Sequence, residues 1–224
     1  MESHVPIGGL KHIGLPGFIF PSVRYCLLLQ QYPCLIDLGA HYVKQSERNH
    51  FWILGANGPQ KIILPIESKK GIPTATGAIR ISPGSWYRNQ ITAIQSAYGK
   101  SAFYFYFKDE LNDLICQWPE QSLSDAIHNS LLFFQKNFSL KAPEVTQQFS
   151  AIALETDARM QKKIPFSNKQ IQPYHQVFQD RFDFQDHLSA LDLLFNLGPE
   201  AKLYLQQHPT IRLDLADRQN SWEG

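Results

Sequence analysis

The chain is poor in whatever would staple it, anchor it or give it a strong field. Its 3 cysteines, Cys26, Cys34 and Cys116, are odd in number and fall in no CxxC or Cys/His spacing, which argues against a disulfide framework and against a zinc site. A reducing cytoplasm suits such thiols, and a cytoplasmic protein is expected. Long apolar runs are missing too: the most apolar stretch, residues 17–38, is broken by Pro21, Arg24, Gln30, Gln31 and Pro33. The opening MESHVPIGGLKH has no basic segment leading into an apolar one, so neither a signal peptide nor a membrane span is expected. Charge of one sign is also scarce. The 21 basic and 20 acidic residues leave +1, too little to gather nucleic acid or anionic lipid, so any anion site must be local. No phosphate loop, GxGxxG, HExxH or nucleophile elbow occurs, so no motif names a cofactor or a metal.

What is present is globular. With 43% hydrophobic and 12% aromatic residues among 224, the chain can bury a large core without staples. The expected organisation is a flexible arm over 1–14, one domain over 15–208 and a polar tail over 209–224. Hydrophobic spacing predicts a short helix from Val23 to Gln31 and a strand from Cys34 to Leu38. Paired strands are expected at Phe51 to Leu54 and Lys61 to Ile66, with Gly55 to Pro59 as a loop longer than a tight turn, and a weaker strand at Ile79 to Ile81. The period then becomes helical. Helices are expected from Trp86 to Tyr98, capped by Ser85 and stopped by Gly99, from the aromatic run through Cys116, and over Ile127 to Phe138 after Ser122 or Ser124. The Phe103 to Phe107 aromatics, with Trp86 and Tyr98, read as core. A loop-rich stretch with a short strand near Ala151 to Leu154 follows, then two helices separated by Gly198-Pro199. The fold class is therefore α/β or α+β: a small mixed or antiparallel sheet in the N-terminal half, helices packed on it, and a helical C-terminal half.

The densest cluster of donors is HYVKQSERNH, residues 41–50, between an apolar strand and the hairpin. Ligands in sheet-based folds sit off strand ends, which makes this run the candidate site. Arg48 offers a planar fork for carboxylate or phosphate, Lys44 a point charge, Asn49 a donor and an acceptor, and Tyr42 a ring or a hydroxyl. Lys44 and Arg48 are expected to converge on a sheltered recess. Asp37 either holds one of them from behind or ends its strand in water. His41, His50 and an exposed Asp37 are the side chains there that could act as a base, and Tyr174 and Gln176 would join from the returning chain. The bland alternative is an exposed strand and loop paired with Glu47 and water. Two other classes stay open: a binding module for a small anionic metabolite or nucleotide sugar, and a partner surface made by the aromatic run. Lone histidines such as His128 and His187 read as solvated or capped.

Leu15-Pro16, Asp37, HYVKQSERNHFWILGANG, AIQSAYGKSAFYFY and the closing YHQVFQDRFDFQDHLSALDLLFNLGPEAKLYL together resemble the WbqC-like protein family. The resemblance runs from Leu15 to Leu205, with LLFNLGPEA its most distinctive segment. It implies a cytoplasmic enzyme of bacterial surface-polysaccharide (O-antigen) synthesis that transfers glycine or another amino-acid acyl group to an amino sugar. Its motif falls on Tyr42, Lys44, Ser46, Arg48 and Asn49. The chain departs from the pattern at Glu47, where an aromatic is usual, and at His50, where a second arginine is usual, so a two-arginine clamp is not available.

Overall fold

The computed structural model of the chain describes residues 12–67, 74–148, 154, 156–166 and 171–213. In chain order its elements are β1 (Ile13–Pro16), α1 (Val23–Gln31), β2 (Cys34–Asp37), β3 (His50–Gly55), β4 (Gly58–Ile63), β5 (Ile66–Glu67) and β6 (Arg80–Ile81). The helices α2 (Tyr87–Tyr98), α3 (Tyr104–Cys116) and α4 (Leu123–Phe138) follow, then β7 (Glu144–Thr146), β8 (Thr156–Asp157), α5 (Ala190–Leu197) and α6 (Glu200–Gln207). The class is mixed α/β with a helical C-terminal half.

The centre is a four-stranded parallel sheet in the order β7-β2-β1-β8. Parallel neighbours need a crossover, and α1 supplies it between β1 and β2, which pair from Ile13↔Cys34 to Pro16↔Asp37. Ser22 starts that helix by accepting the Tyr25 N–H on its hydroxyl. Both edge strands, β7 and β8, come from the stretch that reads as loop in sequence. They are too short, at 3 and 2 residues, to show an alternation. β1 begins at Ile13, inside the expected arm. At the other end Ile211 is buried within the expected tail. Residues 1–11 and 214–224, and positions 151–153 of the expected strand, lie outside the described residues.

Beside this sheet stand two antiparallel pairs, β3 with β4 and β5 with β6. The β3-β4 connection is tighter than its sequence suggests. Gly55 pairs with Gly58, so only Ala56 and Asn57 turn, and the backbone can close there because Gly58 takes φ 105°. The second strand consequently begins at Gly58 and ends at Ile63, and Ile66–Glu67 leaves to pair with β6. Ser85 does not cap α2 with its side chain; only its carbonyl serves, accepting the Arg88 N–H at 3.1 Å. Ser122 does cap α4, accepting the Asp125 N–H at 3.1 Å.

The core forms where the helices cover the sheet, around Leu15, Ile36, Ile53, Ile127 and Leu194. Phe20 sits among Phe51, Trp118, Phe133 and Phe134, with ring centroids between 5.2 and 6.2 Å away. That packing holds Phe20 at φ 38°, a left-handed conformation that a bulky side chain adopts only under constraint. The aromatic run divides as a helix dictates. Tyr104 and Phe107 are buried, whereas Phe105 and Tyr106, expected in the core, face solvent at 65% and 80% exposure. No helix among the described residues is long and apolar enough to cross a membrane.

Candidate functional site

The carboxyl ends of β2 and β8 carry acidic residues, and one arginine joins them. Asp37 closes β2, where its Oδ1 accepts the Gly39 and Ala40 N–H groups, each at 2.9 Å. Its Oδ2 lies 3.1 Å from Nη1 of Arg159, and the Arg159 Nη2 lies 2.8 Å from Asp157 Oδ2. Burial would raise the Asp157 carboxyl, but its hydrogen bonds to Arg159 outweigh this and hold it below the usual range. Of the two readings left open for Asp37, the buried one is the geometry found, with Arg159 as its partner.

Arg48 is turned into the same region. It is 1% exposed, and its Nη1 and Nη2 donate to the carbonyls of Gln161 and Arg159 at 3.0 and 2.6 Å. Burial pushes its guanidinium down to about 10, against the pull of Tyr42, Tyr25 and Asp37. Arg48 therefore straps residues 159–161 over the loop. Lys44 stays exposed, so the two cationic heads occupy different surroundings and do not share a recess. The remaining polar residues shape the loop: Tyr42 donates to Asn49 Oδ1 at 2.9 Å, Asn49 Nδ2 donates to the Leu64 carbonyl at 2.9 Å, and Ser46 donates to the Val43 carbonyl. His41 is exposed. Gln45, at the tip, takes φ 57°.

Tyr174 and Gln176 lie together, at another carboxylate. Tyr174 donates to Asp192 Oδ2 at 2.7 Å and Gln176 Nε2 donates to the same oxygen at 2.9 Å. Asp192 sits in the first turn of α5, fully buried, and its Oδ1 has no hydrogen-bond partner of good geometry. Burial raises its carboxyl to about 6, while Tyr174, Gln176 and the nearby Tyr98 hydroxyl oppose that rise.

The opening in this region is on the other side of the loop, where His50 begins β3. A shallow cleft whose enclosed space is about 10 Å³, room for about one water molecule, is walled by Ile19, Phe20, Pro21, Phe51 and Trp52, with Glu47, His50, His187, Ser22 and Ser189 as its polar groups. Backbone bonds fix each contributor. Glu47 donates its N–H to Lys162 and accepts the Ile19 N–H at 2.9 and 3.2 Å. The start of α5 is pinned by Ser189 N–H to Trp52 O at 2.8 Å and Ala190 N–H to Pro21 O at 2.9 Å. An ion pair between Arg24 and Asp186 anchors the residue before His187. The His187 ring meets Trp52 edge-on, with centroids 5.7 Å apart.

Electrostatically the cleft keeps its acid and its imidazoles close to neutral. Burial raises the Glu47 carboxyl to about 7, and Lys163 and Lys61 only partly oppose this. Burial lowers His50, helped by Lys61, and burial lowers His187, helped by Lys163 against Asp186. A carboxyl poised near neutrality in a cleft can accept or donate a proton at working pH. Of the residues singled out in sequence, His50 reaches this cleft. Glu47 and His187 were not among them: Glu47 read as a surface partner of Arg48, and His187 as one of several scattered histidines. The available signal was the pair of departures from the family pattern, Glu47 and His50, which fall on the same cleft. No group of three or more His, Cys, Asp or Glu among the described residues is arranged to hold a metal ion.

Fold and cleft together describe a mixed α/β protein with a small, apolar-walled cleft that titratable groups help to line. The chain belongs to the WbqC-like protein family, whose family model matches residues 19–164, a span that contains the loop, β3 and Glu47. Neither a curated protein nor a solved structure matches the chain.

Proposed function

We propose that the chain is a cytoplasmic transferase that moves an acyl or aminoacyl group onto the amine of an amino sugar in surface-polysaccharide (O-antigen) synthesis. The cleft beside Glu47 and His50 is where the amine is deprotonated. The reading takes its reaction class from family membership and its site from one observation: a partly buried carboxyl raised to about 7 that shares a cleft with His50. In the step itself the amine nitrogen attacks the carbonyl carbon of an activated ester or thioester. The new C–N bond forms as the bond to the leaving group breaks, the leaving group departs with that electron pair, and the nitrogen's proton passes to Glu47. An ammonium cannot attack, so a base matched to the amine is the first requirement of the site. Ser22 and Ser189 line the same cleft and can orient a carbonyl or a sugar hydroxyl.

The test is direct. Purified protein is incubated with nucleotide-linked amino sugars and aminoacyl or acyl thioester donors, and N-acylated product is sought by mass spectrometry. Product from the wild type, falling at least about a hundredfold in Glu47→Gln, supports the reading; equal turnover in both proteins would falsify the site. A second reading, a module that binds a small anion without chemistry, is favoured by the size of the cleft, whose enclosed space of about 10 Å³ is far below that of typical ligand pockets of roughly 300–1,000 Å³. Ligand-induced thermal stabilisation with no product under any donor is its signature.

A further inference from the structure

Past α6 the chain folds back on the end of α1, and one buried imidazole ties that turn to the segment carrying Tyr174. The main chain engages both ring nitrogens of His208. Nε2 lies 3.0 Å from the Gln172 nitrogen, whose N–H points at it, and Nδ1 lies 2.7 Å from the Pro209 carbonyl oxygen. A nitrogen that faces an N–H is bare and one that faces a carbonyl carries hydrogen, so the ring is neutral with its proton on Nδ1. The backbone beside the ring is fixed to α1. Gln31 Nε2 donates to the His208 and Pro209 carbonyls, each at 3.2 Å, Gln31 Oε1 accepts the Ile211 N–H at 2.9 Å, and the Tyr32 hydroxyl donates to the Ile211 carbonyl at 2.7 Å. Gln172 is exposed, with its carbonyl taking the Tyr204 hydroxyl, so it is the side of the contact that can give way. The charged and titratable groups around the ring are Tyr204 of α6, with ring centroids 5.5 Å apart, Tyr174 behind Tyr204, Tyr32 at the end of α1, and Arg24 of α1, which pairs with Asp186.

We propose that His208 is an acid-released latch: the neutral ring holds Gln172 against the end of α6, and a second ring proton lets residues 172 and 173 part from it. Once Nε2 carries hydrogen it meets the Gln172 N–H donor to donor, and neither group is satisfied until the two separate. The closed ring therefore resists protonation. Burial lowers it below the ordinary 6.5; the Pro209 hydrogen bond opposes this and the Arg24 charge adds to it. Because the open ring binds the proton more tightly than the closed one, closure is complete above about pH 6.5 and weakens as pH falls below that value. Opening stops short of Tyr174. Asp192, which Tyr174 and Gln176 cover, is raised by burial to about 6, so uncovering it would release a proton, and acid opposes that release.

Amide exchange in the full chain, read residue by residue by NMR from pH 7.5 to 5.5 and corrected for the intrinsic rate, tests the latch. Protection of the Gln172 amide is expected to fall about tenfold over that range, because an open ring of ordinary affinity takes up its proton there. The Gln185 amide, bonded to Gln176 Oε1 at 2.9 Å, keeps its protection. His208→Gln supplies an acceptor that does not titrate, and Gln172 protection in that variant stays constant. In the wild type alone, imidazole nitrogen shifts are expected to place the proton on Nδ1 at pH 7.5, with a titration midpoint below 6.5. Gln172 protection that does not change with pH, the same fall in His208→Gln, an equal fall at Gln185, or a neutral ring protonated on Nε2 overturns the inference.

Discussion

Arg159 reaches Asp37 across Gly14. The arginine follows β8, the aspartate ends β2, and β1 runs between those two strands in the sheet. A Cβ built on Gly14 would lie 3.2 and 3.3 Å from Cγ and Cδ of Arg159, so the arginine stem lies against the bare backbone of β1. One glycine thereby lets a buried ion pair tie the two flanking strands together. Because Arg48 donates to the Arg159 carbonyl, the same strap fixes the loop that carries Glu47.

Arg159→Met leaves Asp37 buried without its cation, and breaking a buried pair in this way costs about 3–5 kcal/mol. Chemical denaturation is expected to show a loss of that order. The double variant Asp37→Asn with Arg159→Met recovers much of it, since the isolated charge is gone. A double variant as unstable as the single one would mean that the arginine stem, rather than the charge pair, holds the sheet edge.

Gly14→Ala tests the crossing itself. Its methyl group would come 2.4 Å from Leu154 Cδ1 and press on the Arg159 stem. The leucine end can swing away, but the arginine is held at both ends. Overpacking of this kind costs typically 1–3 kcal/mol. A midpoint unchanged in urea would show that the stem has room to move.

The parts of this fold that were legible in sequence are those that carry a period or a stop signal. The α1 helix, α4 with its Ser122 cap and the Gly198-Pro199 break between α5 and α6 all read directly from spacing. Of the parallel sheet only β2 did, as the strand expected from Cys34 to Leu38; the other strands are 4, 3 and 2 residues long and recruited from distant stretches, so no local pattern announces them or the parallel pairing. The polar run 41–50 was visible as a concentration of donors. Which of its side chains point into protein was not, since Arg48 and Glu47 are turned by partners more than a hundred residues away, the carbonyls of Arg159, Gln161 and Lys162.

If the proposed transfer takes place in the cleft, Glu47 gives it a pH signature. A base must be ionised to act, so kcat/KM is expected to rise with pH through an inflection near the folded-state value of about 7 and then level off. His50 and His187, held below their ordinary range, are already neutral there and add no inflection at that pH. Glu47→Gln should flatten the profile as well as lower it. An inflection of the same position in the variant would assign the titration to another group.

Asp192 gives stability the opposite kind of signature from a salt-bridged aspartate. Burial raises its folded carboxyl from 3.8 to about 6, so the folded state binds the proton more tightly than the unfolded chain does. Its contribution is therefore fully favourable below about pH 4 and is lost as pH rises from there through 6, a swing of a few kcal/mol at most. Tyr174 and Gln176 soften that loss by donating to Oδ2, but Oδ1 is left without a partner of good geometry. Asp192→Asn keeps an acceptor for both donors and removes the charge. Thermal melts between pH 4.5 and 8 are thus expected to show the variant gaining on the wild type as pH rises, with the difference levelling off above about pH 7. A difference independent of pH would mean that the wild-type carboxyl does not change ionisation in this range, and that the cluster is held by shape and hydrogen bonding alone.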